Sequence, residues 1–150
     1  MIIRKFRKQD AVEVSNLIRA CAVKVNSRDY PKKVVDYICS NNTPEKIIER
    51  SKDKKRAVFV AVKNGKVIGM AGLTDDYVGS MFVDPKSHGH NIGRELLLRV
   101  EKLAKRRGVK VLGTPSSLTA VGFYKKMGFK IIRRKTDKHF GKVVIMRKKL

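Results

Sequence analysis

Apolar residues recur at helical intervals in the first third of the chain and at strand-like intervals through much of the rest. Ile2 to Phe6 predicts a short strand. Asp10 is placed to cap a helix that carries Val12, Leu17, Ile18 and Cys21 on one face. A second helical region begins with Pro31 in its first turn and Val34, Val35 and Ile38 behind it. It restarts at "NNTPEKIIERSK", with Thr43 as cap, Pro44 at the first position and Ile47-Ile48 as anchors. From Arg56 the period shortens. "RAVFVAVKNGKVIGMAGLT" reads as two apolar strands joined by the two-residue turn Asn64-Gly65. Tyr77 to Val83 predicts a further strand.

Ile92 to Arg107 then returns to helical spacing, with Ile92, Leu96, Leu97, Val100, Leu103 and Ala104 on one stripe and Gly108 as the stop. Val109 to Gly113 predicts a short strand, and Leu118 to Met127 a helix ended by Gly128. Phe129 to Thr136 and Phe140 to Arg147 predict two last strands meeting around Gly141. No repeat, linker or low-complexity stretch interrupts the series. The order β-α-α-β-β-β-α-β-α-β-β predicts one α/β domain over residues 1–150, a mixed sheet with helices on its faces.

Composition sharpens this. A chain of 150 residues with 42% hydrophobic content can bury a core without disulfides or metals. No apolar run reaches the ~18 residues of a membrane span. The N-terminus "MIIRKFRKQD" lacks the apolar centre of a signal peptide. Cys21 and Cys39 fit no metal or redox spacing, so two reduced thiols in a cytoplasmic protein are expected. The charge is the unusual quantity: 36 basic residues against 13 acidic, net +23. Residues 1–84 carry +7 of it and residues 85–150 carry +16. Such a surface attracts polyanions, whether nucleic acid or a phosphate-rich small molecule, and it also serves solubility.

Two segments carry candidate chemistry. "FVDPKSHGHNIGRELLLRV", residues 82–100, runs from a strand through a glycine-bearing turn into a helix. A helix start leaves backbone N–H groups without partners and adds positive potential, and small residues let an anion approach them. Gly89 and Gly93 are small, and Asn91 is the non-glycine residue best suited to a left-handed backbone. Neither a P-loop nor a three-glycine dinucleotide fingerprint is present. His88 and His90 raise the question of a metal, but only Asp84 is near enough in sequence to join them. The second segment, "SSLTAVGFYKKMGF", sets Tyr124 seven residues after Ser117.

Together the two segments resemble the GCN5-related N-acetyltransferase superfamily. "MFVDPKSHGHNIGRELL" resembles its cofactor motif, approximately V-x-P-x-x-(Arg/Gln)-G-x-G-x-(Gly/Ala), and "SLTAVGFYKKMGF" resembles its later motif. His88 for Arg/Gln and Asn91 for Gly are the departures. The resemblance implies that fold, with a splayed mixed sheet, and transfer of an acetyl group from acetyl-CoA to an amine. It implies that the backbone of Met81, Phe82 and Val83 pairs with the pantetheine arm. His88, Gly89, His90, Asn91, Ile92, Gly93 and Arg94 would wrap the pyrophosphate, and Ser117 would contact the far arm of the cofactor. Tyr124 takes the position of the tyrosine that protonates the departing CoA thiolate. Of the histidines, one is expected to pack and the other to donate to phosphate, with no metal.

The resemblance leaves the base open. Some members carry a glutamate at the position six before Val83, which here is Tyr77. Asp75 and Asp76 adjoin it, but Asp76 faces the other way unless the strand bulges. Water, or an acceptor arriving deprotonated, is the alternative. Rival functions are a nucleic-acid-binding module and a CoA-binding sensor without activity. The Gly69–Gly72 spacing mimics a KH loop, yet Asp75 and Asp76 would repel the phosphates such a loop clamps. An acetyltransferase acting on aminoacyl-tRNA or ribosomal protein would reconcile enzyme and basic charge. A monomer or homodimer is expected. The acceptor site is expected between residues 22–55 and 130–150, and a basic rim there favours an acidic acceptor.

Overall fold

The computed structural model describes all 150 residues. Seven strands form one sheet: β1 (Ile2–Lys5), β2 (Arg56–Lys63), β3 (Lys66–Thr74), β4 (Tyr77–Val83), β5 (Val111–Ser117), β6 (Lys130–Asp137) and β7 (Gly141–Lys149). Their spatial order is β1-β2-β3-β4-β5-β7-β6. Every pairing is antiparallel except β4 with β5. Three helices lie between β1 and β2: α1 (Ala11–Lys24), α2 (Lys32–Ser40) and α3 (Pro44–Ser51). Helix α4 (Ile92–Arg106) crosses from β4 to β5, and α5 (Val121–Lys126) leads to β6. The predicted mixed sheet with helices on its faces is what forms.

Each face of the sheet has its own core. On one, Leu96, Leu97 and Val100 of α4 pack on Phe59, Leu73, Leu112 and Met146, and Tyr124 of α5 joins them. On the other, Val14, Ile18 and Cys21 of α1, with Val34 and Ile38 of α2 and Ile47 of α3, pack on Val60, Val67 and Met70. Helix α4 approaches closely because β3 carries a glycine beneath it. A Cβ at Gly69 would stand 2.9 Å from Leu96 Cδ1 and 3.0 Å from Ile92 Cγ2. The hairpin at Asn64-Gly65 forms as predicted, with both residues at positive φ (51° and 74°).

Several local expectations are corrected. Val12 is 60% exposed, since the buried stripe of α1 runs through Ala11, Val14, Leu17, Ile18 and Cys21 instead. Asp10 precedes α1 but makes no side-chain cap. Its carboxylate accepts from both Arg4 Nη atoms (2.8 and 2.9 Å) and from the Arg7 backbone N–H (2.7 Å), tying β1 to the start of the helix. The strand predicted at 109–113 lies at Val111–Ser117, because β7 pairs with it along that whole length. The helix predicted over 118–127 divides into a 3-10 turn at Leu118–Ala120 and α5. Ser117 accounts for the division, its hydroxyl accepting from the Ala120 N–H at 3.2 Å.

The Arg4 guanidinium, helped by the Arg7 N–H, holds the Asp10 carboxyl below its ordinary range. A group more acidic when folded contributes all of its stability above the unfolded value, near 4, and loses it as pH falls through the lower folded value. Asp10→Asn should lower stability at pH 7 by about 1–3 kcal/mol, and the difference should shrink as pH falls below the unfolded value. Urea melts of both proteins at pH 7 and pH 3 would show it; an equal deficit at both pH values contradicts it.

Candidate active site

The sheet forks at β4 and β5. One pair, Tyr77 opposite Gly113, is in parallel register. The Gly113 N–H donates to the Asp76 carbonyl at 2.9 Å, and the Thr114 hydroxyl donates to the Val78 carbonyl at 2.9 Å. Beyond these ties β4 continues with β3 and β5 continues with β7, so their facing edges part. A bulge at β4 marks the separation: Leu73 pairs with Val78 and Gly72 with Ser80, leaving Gly79 as the extra residue.

The side chains of Met81, Phe82 and Val83 are already committed to packing. Met81 and Val83 rest on the α4-side core and Phe82 on the α1-side core. Their backbone pairs with β3 on one side and borders the fork on the other. The Val83 carbonyl accepts from Cys21 Sγ at 3.1 Å and lies 3.0 Å from His88 Nε2, which donates when it carries the proton. Burial pushes the Cys21 thiol up to about 12, so it serves as a hydrogen-bond donor, not a nucleophile.

The loop after β4 begins with Asp84, whose carboxylate accepts from the Lys86 N–H at 3.0 Å and closes a 3-10 turn over Pro85–Ser87. From there to the first turn of α4, the backbone N–H groups of His88, Gly89, His90, Asn91, Ile92, Gly93 and Arg94 have no acceptor within the protein. Free donors at a helix start are suited to an anion. Asn91 sits at φ 60°, ψ 16°, the left-handed conformation predicted for it, and Gly89 is at φ 86°. The Ile92 side chain is buried against β3, so this residue can contribute only its N–H. His88 and His90 are both exposed, which removes the packing role expected for one of them. No three His, Cys, Asp or Glu side chains gather near them or elsewhere.

The second motif closes on the first. A Cβ at Gly93 would stand 3.1 Å from the Phe123 ring, so α5 seats against the start of α4. Tyr124 is buried, edge-on to Phe123 and Phe129 at 5.2 Å each. Burial pushes its phenol up to about 12, with the Thr114 hydroxyl beside it offsetting part of the rise. Thr114 is the residue that ties β5 to Val78, which places Tyr124 at the root of the fork. The Ser117 hydroxyl is occupied as an acceptor for Ala120 but keeps its own proton to donate. Asp75 and Asp76 form the exposed two-residue turn between β3 and β4, and the bulge falls beyond both, at Gly79.

Forked strands, a donor-rich loop and a buried tyrosine at the root define an acyl-transferase type of site. The sequence profile of the Acetyltransferase (GNAT) domain matches residues 17–150, and the chain belongs to that family. It is 36% identical over 86 residues to a peptidyl-lysine N-acetyltransferase, YjaB, of Salmonella typhimurium, covering 57% of this chain and 58% of that protein. An IAA acetyltransferase of Azospirillum brasilense is 34% identical over 80 residues, or 47% of this chain and 52% of that one. These matches thus span little more than half of each curated relative. Among solved structures, a GCN5-related N-acetyltransferase from Rhodopseudomonas palustris superposes with TM-score 0.92 at 23% identity, covering 99% of this chain and 95% of that one. PaiA N-acetyltransferase from Thermoplasma acidophilum, solved with coenzyme A, superposes with TM-score 0.84 at 23% identity, covering 99% and 98%. At that identity the structures speak for the fold.

Asn91→Gly should leave stability within about 0.5 kcal/mol, because glycine accepts the left-handed backbone freely. Asn91→Val should cost about 1 kcal/mol or more. Thermal melts of the two variants test the conformation; equal melting temperatures would contradict it.

Proposed function

We propose that this protein transfers the acetyl group of acetyl-CoA directly to a primary amine. The observation that carries this reading is the fork between β4 and β5, with seven unpaired backbone N–H groups at one end and Tyr124 at its root. The pyrophosphate of the cosubstrate sits in the loop of residues 88–94, and its pantetheine arm pairs with the backbone of Met81, Phe82 and Val83. The Ser117 hydroxyl meets the far arm.

The chemistry asks little of side chains. A neutral amine attacks the thioester carbonyl, negative charge gathers on that oxygen, and a backbone N–H of the splayed strand stabilises it. The C–S bond then breaks and the sulfur takes up charge. Tyr124, protonated across the physiological range, faces that sulfur. An ordinary thiol ionises near 8.5, so complete transfer from a phenol near 12 runs uphill by about 5 kcal/mol. The phenol therefore acts first as a hydrogen-bond donor to the leaving sulfur, its proton passing over as charge builds. The amine releases its proton to water, since the exposed turn at Asp75 and Asp76 precedes the bulge and neither side chain is buried in the fork.

Tyr124→Phe should lower kcat by roughly 10- to 10⁴-fold while acetyl-CoA affinity changes little. Stopped-time thiol release and isothermal titration with acetyl-CoA separate the two quantities. Unchanged turnover removes Tyr124 from the mechanism, and absence of acetyl-CoA binding to the wild-type protein removes the proposed function.

A further inference from the structure

On the face of the sheet that carries α1, α2 and α3, the helices cover β1 to β4 and stop. Register places Val111 and Pro115 of β5, Arg147 and Lys149 of β7, and Arg133 and Lys135 of β6 on that same face, all exposed. Beyond them α2 reaches the β6–β7 turn, Tyr37 stacking on His139 at 4.4 Å.

Arg56, at the start of β2, lies beside Arg50 and Ser51 of α3 and Met70 of β3 without a counter-ion. Its guanidinium covers the bare Gly72, with Nη2 3.2 Å from where a Cβ would stand, and reaches the bulge, with Nη1 3.9 Å from the same position on Gly79. It makes one side-chain hydrogen bond, Nη2 to Ser80 Oγ at 3.3 Å, leaving most of its five donors free. None of the four ion pairs in the structure involves it. Burial, then the neighbouring Arg50 cation, depresses its pKa, while Tyr77 and Asp53 act the other way. Arg50 is itself committed to the Asn41 carbonyl at 2.7 Å and Asn42 Oδ1 at 2.6 Å. A partly desolvated cation without an anion costs stability unless a ligand supplies the anion.

We propose that Arg56 is the specificity residue for the acceptor, and that the acceptor is an amino acid or similar small amine carrying its own carboxylate a few bonds from the nitrogen. This rests on the acetyl-transfer reading. The carboxylate pairs with the Arg56 fork, assisted by the Ser80 hydroxyl. The amine then passes Gly79, alongside the Tyr77 ring whose Cε2 stands 3.3 Å from where a Cβ there would be, to the point at which β4 leaves β5. Gly79 directly follows Val78, whose carbonyl is the last tie between those strands. The short distance from Arg56 to the bulge is why the carboxylate must be close to the amine. A lysine side chain within a protein offers no carboxylate so near its nitrogen.

The test pairs acids with their amides. N-acetyl-L-alanine and N-acetyl-L-alaninamide, which resemble product, are titrated into the 15N-labelled protein with and without CoA while the arginine Nε–H signals are followed. The acid should shift the Arg56 signal and the amide should not. Turnover is measured on a panel of L-amino acids and their amides. Arg56→Gln should lower kcat/KM for the acids by about 30-fold or more, leave the amides within about twofold, and leave acetyl-CoA binding intact. Arg56→Lys should recover part of the loss. The melting temperature of Arg56→Gln should stay within about 2 °C of wild type or rise. Equal response to acid and amide, or equal loss on both with a lower melting temperature, overturns the proposal. The titration without CoA judges Arg56 even where the acetyl-CoA reading fails.

Discussion

One parallel residue pair, Tyr77 opposite Gly113, joins the two halves of this sheet, and the rest of the molecule is arranged around keeping that junction narrow. A sheet normally satisfies its backbone groups strand by strand. Here β5 is taken by β7 over seven residue pairs and β4 by β3 over six, so each half is held independently of the junction. The edges that face each other across the fork are left with main-chain donors and acceptors that only water or an extended ligand can meet. The crossover helix α4 and the short α5 then plug one side of the gap with Leu96, Leu97, Phe123 and Tyr124. The gap is therefore one-sided: closed toward α4, open toward the face that carries Arg56.

Electrostatics follow the same geometry. Only four acidic side chains are engaged in ion pairs, against 36 basic residues, so the positive surface is largely uncompensated. Two of those pairs are exposed helical neighbours, Lys32–Asp36 and Lys52–Glu49, and contribute little. The other two fasten elements: Arg4–Asp10 ties β1 to α1, and Lys148–Glu101 ties β7 to α4. Long-range attraction from such a surface raises the local concentration of any phosphate-bearing ligand and weakens with salt. It cannot by itself say which anion belongs where. On the proposals above, that distinction comes from short-range features, free N–H groups at residues 88–94 for one anion and a partly buried guanidinium for another.

The sequence made the architecture legible because its signals were local. Asn64-Gly65, the α4 stripe and the proline-led starts of α2 and α3 each carry their own physics within a few residues. The left-handed Asn91 was readable for the same reason, since few other residues tolerate that backbone at the start of a helix. What stayed hidden depends on partners distant in the chain. Val12 fitted a helical face by spacing, but the face is chosen by what α1 packs against. The extent of β5 was set by β7, some thirty residues later. Arg56 gave no signal at all, because an arginine opening a strand looks like any surface cation until β3 and β4 bring two bare glycines beneath it. The histidines misled for a related reason: their exposure follows from the loop standing clear of both cores.

Burial at Tyr124 and burial at Arg56 raise the same question with opposite answers. The phenol responds to its dry surroundings by staying neutral, which in the proposed reaction costs nothing until a charged sulfur develops beside it. At that moment the low polarity that raised its pKa also strengthens its hydrogen bond to the new anion. The guanidinium has no such retreat, since it keeps its proton at any physiological pH. Its cost is present in the free protein and is relieved only when an anion binds. On the two proposals, one group is matched to a charge that exists briefly in the transition state, the other to a charge that the acceptor carries throughout. A site needs both kinds. A donor that waits for charge accelerates the reaction, and a cation that cannot wait selects which molecule reacts.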